Sequence, residues 1–201
     1  MTATATTQLT FDESIHQYKE NGIVVPSVTQ VLKESGLVDL SFVDKETLLY
    51  KSDLGTKVHK ATEYFDRDVL DMEELHPVLK GYLNAWIKFS HDYKFIPQDI
   101  ELRMIHPLYK YAGTIDRIGL IKPSIVQLDI KSGVRHHSHK IQSAGYTELY
   151  NYGKPKNEQV KRRFTVYLNE DGTYKVDEHK KATDFKIFLA ALTITNYKRS
   201  L

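Results

Sequence analysis

The chain contains no cysteine. That excludes a disulfide framework, a zinc ribbon, a thiol nucleophile and a cysteine-ligated iron–sulfur cluster. Any metal must therefore sit on histidine, aspartate, glutamate or backbone oxygen. No apolar run approaches the ~18 residues of a membrane span, so no membrane partner is expected. The N-terminal Met-Thr-Ala-Thr-Ala-Thr-Thr-Gln has neither a basic start nor an apolar core, and no secretory signal is expected there. No segment repeats at a period of 20 to 50 residues. A G-x-x-x-x-G-K-[ST] phosphate loop is missing too, so the chain has no nucleotide-driven motor of its own. Neither sign of charge dominates: 28 Lys+Arg stand against 26 Asp+Glu, for a net +2. Taken alone, that balance argues against a nucleic-acid partner, since nucleic-acid-binding domains are often strongly basic.

What is present is an ordinary globular composition, 41% apolar and 27% charged over 201 residues, enough for one domain with a sizeable core. Residues 8–25 alternate loosely around Asn21-Gly22 and read as a small hairpin. Pro26-Ser27 opens a helix over 28–35 that Gly36 stops. The spacing predicts helices over 53–66, capped by Ser52 or Asp53, and after Glu73, where Leu75, Val78, Leu79, Tyr82, Leu83, Trp86 and Phe89 recur at helical intervals. Strands are predicted at 99–106, 110–121 and 124–130. A helix over 138–152, two strands at 163–168 and 173–177 around Asn169-Glu170-Asp171-Gly172, and a helix over 182–198 follow. The order predicts an α/β fold with a mixed central β-sheet: one domain, with a hairpin and helical part over 1–95 and a sheet core over 96–201.

The charge is unevenly placed. Residues 39–75 carry ten Asp/Glu against five Lys/Arg, and residues 131–163 carry eight Lys/Arg and three His against two Glu. Asp116, Asp129 and Lys131 interrupt two of the most apolar strands, although Asp and Lys are poor strand formers. If the connection is centred on Lys122-Pro123, residue i pairs with 245 − i, and Asp116 faces Asp129. A two-residue turn with Pro second is unfavourable, so a longer symmetric loop is expected, which keeps the register. Lys131, two beyond Asp129, shares its face. Opposed carboxylates repel in a sheet. A divalent cation reverses that sign, and Mg²⁺ binds through one or two carboxylates. The alternative is a surface ion cluster neutralised by Lys131.

Asp116 followed by Asp129-Ile130-Lys131 resembles the signature of the PD-(D/E)XK nuclease superfamily. Gly55-Thr-Lys-Val-His59-Lys-Ala-Thr-Glu63 and Gln142-Ser-Ala-Gly-Tyr146 resemble two helical motifs of its RecB-like branch. Phe11, His16-Gln-Tyr18, Gly22 and Val25-Pro-Ser-Val-Thr29-Gln-Val-Leu32 are similar to the opening of phage-encoded and mitochondrial genome-maintenance exonucleases. The leading Pro of the signature is Ile115 here.

The resemblance, spanning roughly residues 11 to 150, implies a restriction-endonuclease-like core with an N-terminal hairpin and helical cap. It implies a Mg²⁺- or Mn²⁺-dependent deoxyribonuclease, an exonuclease that hydrolyses DNA phosphodiester bonds with a metal-activated water. An endonuclease of restriction or junction-resolving type, or an inactive DNA-binding module, are the alternatives. The metal ligands implied are His59, Asp116, Asp129 and the Ile130 carbonyl. Lys131 would orient or deprotonate the water or stabilise charge on the phosphate, and Gln142 and Tyr146 would hold the DNA backbone or brace Lys131. The implied setting is the cytoplasm of a bacterial or phage-infected cell, with DNA ends and a recombination or replication protein as partners. Glu63 is a candidate to orient His59, and Glu101 to serve a second metal. His136-His137-x-His139 and Lys161-Arg162-Arg163 are candidate phosphate contacts or solvated surface. Tyr64, Phe65, Tyr82, Trp86 and Tyr93 are core residues or base-stacking aromatics.

Overall fold

A computed structural model describes residues 8–201; the N-terminal segment read above for a signal lies almost wholly outside them. The chain opens with three short antiparallel strands, β1 (Leu9–Asp12), β2 (Gln17–Glu20) and β3 (Ile23–Val25). Asn21 and Gly22, both with positive φ, make the turn between β2 and β3, so the predicted hairpin carries one strand more. Helix α1 (Val28–Ser35) begins on a full capping box: Ser27 Oγ accepts from Gln30 N, and Gln30 Oε1 accepts from Ser27 N. It ends where Gly36 enters the left-handed region at φ 91°, a conformation glycine adopts without steric cost.

Helix α2 (Lys45–Asp66) starts eight residues earlier than its apolar spacing predicts, on an Asp44 cap that accepts from Thr47 N at 2.8 Å. Its buried stripe, Leu54, Val58, Ala61 and Thr62, begins only in the third turn. The first two turns bury nothing, and a hydrophobic period cannot reveal them. Helix α3 (Pro77–Tyr93) carries Pro at its first position and His76 as cap.

Five strands form the main sheet in the order β4 (Ile96–Ile105), β5 (Ala112–Ile121), β6 (Ser124–Lys131), β7 (Arg162–Leu168) and β8 (Tyr174–Glu178). Only β6 and β7 are parallel, because helix α4 (His139–Asn151) carries the chain between them, the crossover that parallel pairing requires. Helix α5 (Thr183–Arg199) completes the fold. The β5–β6 pairing runs Ile121↔Ser124 through Arg117↔Leu128, the predicted register. The connection is nevertheless two residues long, with Lys122–Pro123 cis, the isomer in which Pro occupies that turn position.

Apolar side chains fill both sides of the sheet. Ile115 and Ile118 pack with Val28, Ile141, Leu149 and Phe188, joining α1, α4 and α5 to one layer. Val126, Leu128, Ile130 and Phe164 pack with Leu54, Val58, Trp86 and Phe89, bringing α2 and α3 to the other. The small sheet is joined to β5 through Tyr18 and Val25 against Ala112 and through Ala112 N to the Pro26 carbonyl at 2.9 Å. No helix of the described residues is long and apolar enough to cross a membrane.

His106, in the β4–β5 loop, is fully buried. Its Nδ1 accepts from Leu108 N and Tyr109 N at 3.3 and 3.1 Å, which leaves the ring proton on Nε2. Charging the ring would put a proton where two backbone donors point, and burial pushes its pKa down to about 4. Since the ordinary value is 6.5, the unfolded chain binds more protons between pH 6.5 and 4. This contribution to stability is present above 6.5 and lost as pH falls toward 4. The melting temperature should therefore drop from pH 7 to pH 5. His106→Asn keeps an acceptor for both N–H groups; it should be less stable at pH 7 but show a smaller drop, measurable by thermal denaturation at both pH values.

Candidate active site

The β5–β6 ladder stops at Arg117↔Leu128, one step short of the two acids. Beyond it Asp116 takes over a backbone donor: its Oδ2 accepts from Ile130 N at 2.7 Å. Its Oδ1 lies 3.7 Å from His59 Nδ1 on α2. Glu101 of β4 completes the group, with Oε1 3.9 Å from the same His59 nitrogen. Ile100 pairs with Arg117 and Leu102 with Ile115, so Glu101 stands opposite Asp116. It does so with φ 51°, a left-handed backbone that costs a non-glycine residue of order 1 kcal/mol and tends to occur at functional positions.

One ligand atom from each of His59, Glu101 and Asp116 lies within 4.8 Å of the others. Two oxygen donors and one imidazole in that space suit a divalent cation and fit Mn²⁺ somewhat better than Mg²⁺. Burial works against a charged His59 ring, yet Asp116 and Glu101 outweigh it and hold its pKa above the ordinary value.

Asp129 is 1% exposed. Its Oδ1 accepts from Lys131 Nζ at 2.8 Å, while its buried Oδ2 has no hydrogen-bond partner. Burial raises the Asp129 pKa to about 6, with Lys131 pulling the other way. Burial opposes the Lys131 ammonium, but Asp129 and Asp116 outweigh it and raise its pKa. A lysine held charged suits the charge-stabilising role expected of it better than the role of base. The ion pair that the alternative reading assigns to Lys131 is made to Asp129, while the Asp116 carboxylate meets His59 and Ile130.

Gln142 and Tyr146 share one face of α4, with Gln142 Nε2 donating to Tyr146 OH at 3.3 Å. Gly113 lets the Tyr146 ring in: a Cβ there would lie 2.7 Å from Tyr146 Cε1. His59, Glu101, Asp116, Lys131, Gln142 and Tyr146 all line one cleft of about 570 Å³, together with Phe11 of β1, Tyr18 of β2 and His16 of the turn between them. Ile130 contributes its N–H to Asp116.

Glu63 lines the same cleft but pairs with Lys60 and Arg67 at 3.3 and 3.1 Å; the carboxylates within 4 Å of the His59 ring are those of Glu101 and Asp116. The remaining candidates fall outside this group. His139 Nδ1 meets Tyr167 OH and His136 Nδ1 meets Ser138 Oγ; these histidines form no metal cluster among the described residues. In the basic run, Arg162 pairs with Glu178 and Arg163 with Asp184, so both are tied to neighbouring acids. Tyr82 and Trp86 are core residues, Phe65 and Tyr93 pack against that core, and Tyr64 is exposed.

Arg117 went unremarked in the sequence. It is a fully buried charge on an apolar strand, the same anomaly that singles out Asp116 and Asp129, and that signal could have found it.

No family model matches the chain, and no curated protein does. Among solved structures, a protein from Eubacterium rectale named provisionally as an exonuclease is similar over 72% of this chain and 68% of its own, at 13% identity and a TM-score of 0.47. An alkaline exonuclease from Laribacter hongkongensis is similar over 58% of this chain and 68% of its own, at 18% identity and a TM-score of 0.28. Its complex with dAMP aligns over 88% and 92%, at 16% identity and a TM-score of 0.31. These likenesses are confined to the general fold.

Proposed function

We propose that this chain is a divalent-metal-dependent deoxyribonuclease of the RecB-like type, acting as an exonuclease on DNA ends. The observation that carries the nuclease reading is the convergence of His59, Glu101, Asp116 and Lys131 in one cleft, with the Lys131 ammonium held by the buried Asp129. The resemblance of the ordered motifs to genome-maintenance exonucleases supports the choice of DNA and of exonucleolytic action.

His59, Asp116 and Glu101 would hold the metal, with the unpartnered Oδ2 of Asp129 offering a further oxygen. A Mg²⁺ or Mn²⁺ ion bound there supplies Lewis acidity toward phosphate and water. Hydrolysis forms a bond from a water oxygen to phosphorus as the bond to the leaving oxygen breaks. Lys131, held by Asp129, has further N–H donors to offer a phosphate oxygen as negative charge grows on it, and it is this positioned charge that lowers the barrier. Gln142 and Tyr146 form a hydrogen-bonded pair on the cleft wall, suited to holding the backbone of the strand. Residues of the small sheet and of α2 both line the cleft.

End-labelled linear and closed circular DNA, single- and double-stranded, incubated with Mg²⁺ or Mn²⁺, tests this. Mononucleotides released from linear DNA, with circles intact and chelator abolishing the reaction, are the expected result. Nicked or linearised circles would make the protein an endonuclease; no cleavage of any substrate with either metal would sink the nuclease reading.

A further inference from the structure

We propose that Arg117 is a positioning residue that holds the Glu101 carboxylate in the metal cluster, and that Trp86, coupled to it through Asp66, senses occupation of that cluster. The inference rests on the metal site of the proposed function and goes beyond it in assigning residues outside the cleft.

The Arg117 side chain is wholly buried, a costly placement for a charge unless every donor is used. Its Nε donates to Asp66 Oδ2 at 2.6 Å, and that ion pair alone would neutralise it. The remaining donors go elsewhere. Nη1 donates to the Asp116 carbonyl at 2.6 Å and to Glu101 Oε1 at 3.1 Å, and Nη2 to Thr62 Oγ1 at 3.3 Å. The Glu101 oxygen it grips is the one that faces His59. One planar guanidinium thus ties together the backbone of Asp116, the carboxylate of Glu101 and the last turns of α2, the helix that carries His59. A lysine has a single nitrogen and cannot span those acceptors at once.

The Glu101 side chain stands on a residue held at φ 51° while the register continues on both sides. A local excursion of this kind needs an anchor, and Arg117 supplies one. On the far side of Asp66, the chain's single tryptophan donates from Nε1 to Asp66 Oδ1 at 2.9 Å, and its ring lies 5.6 Å from the Arg117 guanidinium. Glu101, Arg117, Asp66 and Trp86 are therefore linked by successive charged contacts. A cation binding at Glu101 shares that oxygen with Arg117 and draws charge away from their hydrogen bond. The changed field and hydrogen bonding then reach the indole.

The test uses the full chain, with Mg²⁺ for fluorescence because it does not quench, and Mn²⁺ or Mg²⁺ for calorimetry. At Mg²⁺ concentrations that calorimetry shows to be saturating, Trp86 emission should shift in the wild type and not in saturated Glu101→Gln. Arg117→Lys should weaken metal binding roughly 10–100-fold, the usual effect of losing an outer-shell partner. In a Glu101→Gln background it should add little, since its effect runs through that carboxylate. Metal binding with no change in Trp86 emission would overturn the relay. An equal loss from Arg117→Lys with and without Glu101 would overturn the positioning role. If Arg117→Lys does not fold, the wild-type and Glu101→Gln emission measurements still decide the relay, and Asp66→Asn, which loosens Arg117 from its other side, replaces it in the same two backgrounds to decide the positioning role. Failure of the wild type to bind either metal by calorimetry would overturn the metal site itself, and this inference with it.

Discussion

Lys131→Ala should lower DNA cleavage by roughly 10²–10³-fold or more, the usual cost of removing one donor aimed at developing charge, while DNA binding changes far less. The ammonium is held in place from one side only, by Asp129 Oδ1, so nothing else on β6 can substitute for it. The substitution strands a carboxylate that is 1% exposed, and an unpaired buried charge is strongly destabilising. Here the penalty is limited. Burial has already raised the Asp129 pKa to about 6 with Lys131 present, and without Lys131 the group will more readily take up a proton and become neutral. Lys131→Met, which keeps the apolar stem, separates the loss of the charge from the loss of packing. Single-turnover cleavage of end-labelled DNA, set beside mobility-shift binding and a melting curve, is the measurement. Undiminished cleavage by a folded Lys131 variant would remove the residue from the mechanism.

Asp116→Asn should be equally silent, for a different reason. The two Asp116 oxygens have separate duties: Oδ2 accepts from Ile130 N, where the β5–β6 ladder ends, and Oδ1 faces His59. Asparagine can turn its carbonyl to Ile130 and keep that structural bond. It then presents an uncharged amide to the cluster and halves the carboxylate charge shared with Glu101. Mn²⁺ affinity by calorimetry should fall by at least the roughly 100-fold that marks the upper range for outer-shell changes, with little change in melting temperature. Asp129→Asn provides the contrast. A similar loss of affinity would make the unpartnered Oδ2 of Asp129 a ligand; an unchanged affinity would restrict Asp129 to holding Lys131.

The total charge proved a poor guide to the site. A net +2 takes no account of where the acids stand: Glu101 and Asp116 gather with His59 at the cleft, where a bound cation would make the locus attractive to phosphate. In the basic segment that starts at Lys131, Arg135, Arg162 and Arg163 are each paired with an acid, so its arginines are not free cations. Distribution, and then pairing, decide what charge can do.

The local and near-local relationships were legible in the amino-acid order. The α1 boundaries follow from Pro26, Ser27 and Gly36, each acting on its own turn. The Asp116–Asp129 juxtaposition follows from a connection symmetric about Lys122-Pro123, because a short turn leaves a strand pair few registers to choose from. Gln142 and Tyr146 share a face because a helix turn fixes i and i+4. What reached across the molecule was not legible. The six residues from His106 to Tyr111 that join β4 to β5 leave the register open, so Glu101 opposite Asp116 emerged only from the folded sheet. The exposed first turns of α2 left no hydrophobic signature. The docking of its last turns, which brings Asp66 and Thr62 to Arg117 across 51 and 55 residues of chain, depends on packing of α2 and α3 over one face of the sheet. Sequence by itself determined the fold class and the β5–β6 register that runs up to the two acids, since these rest on turn chemistry and backbone period. Tertiary structure alone decided that Glu101 joins His59 and Asp116, that Asp129 accepts from Lys131, and that the buried Arg117 donates to Glu101, since these depend on how separately formed elements settle against a common core.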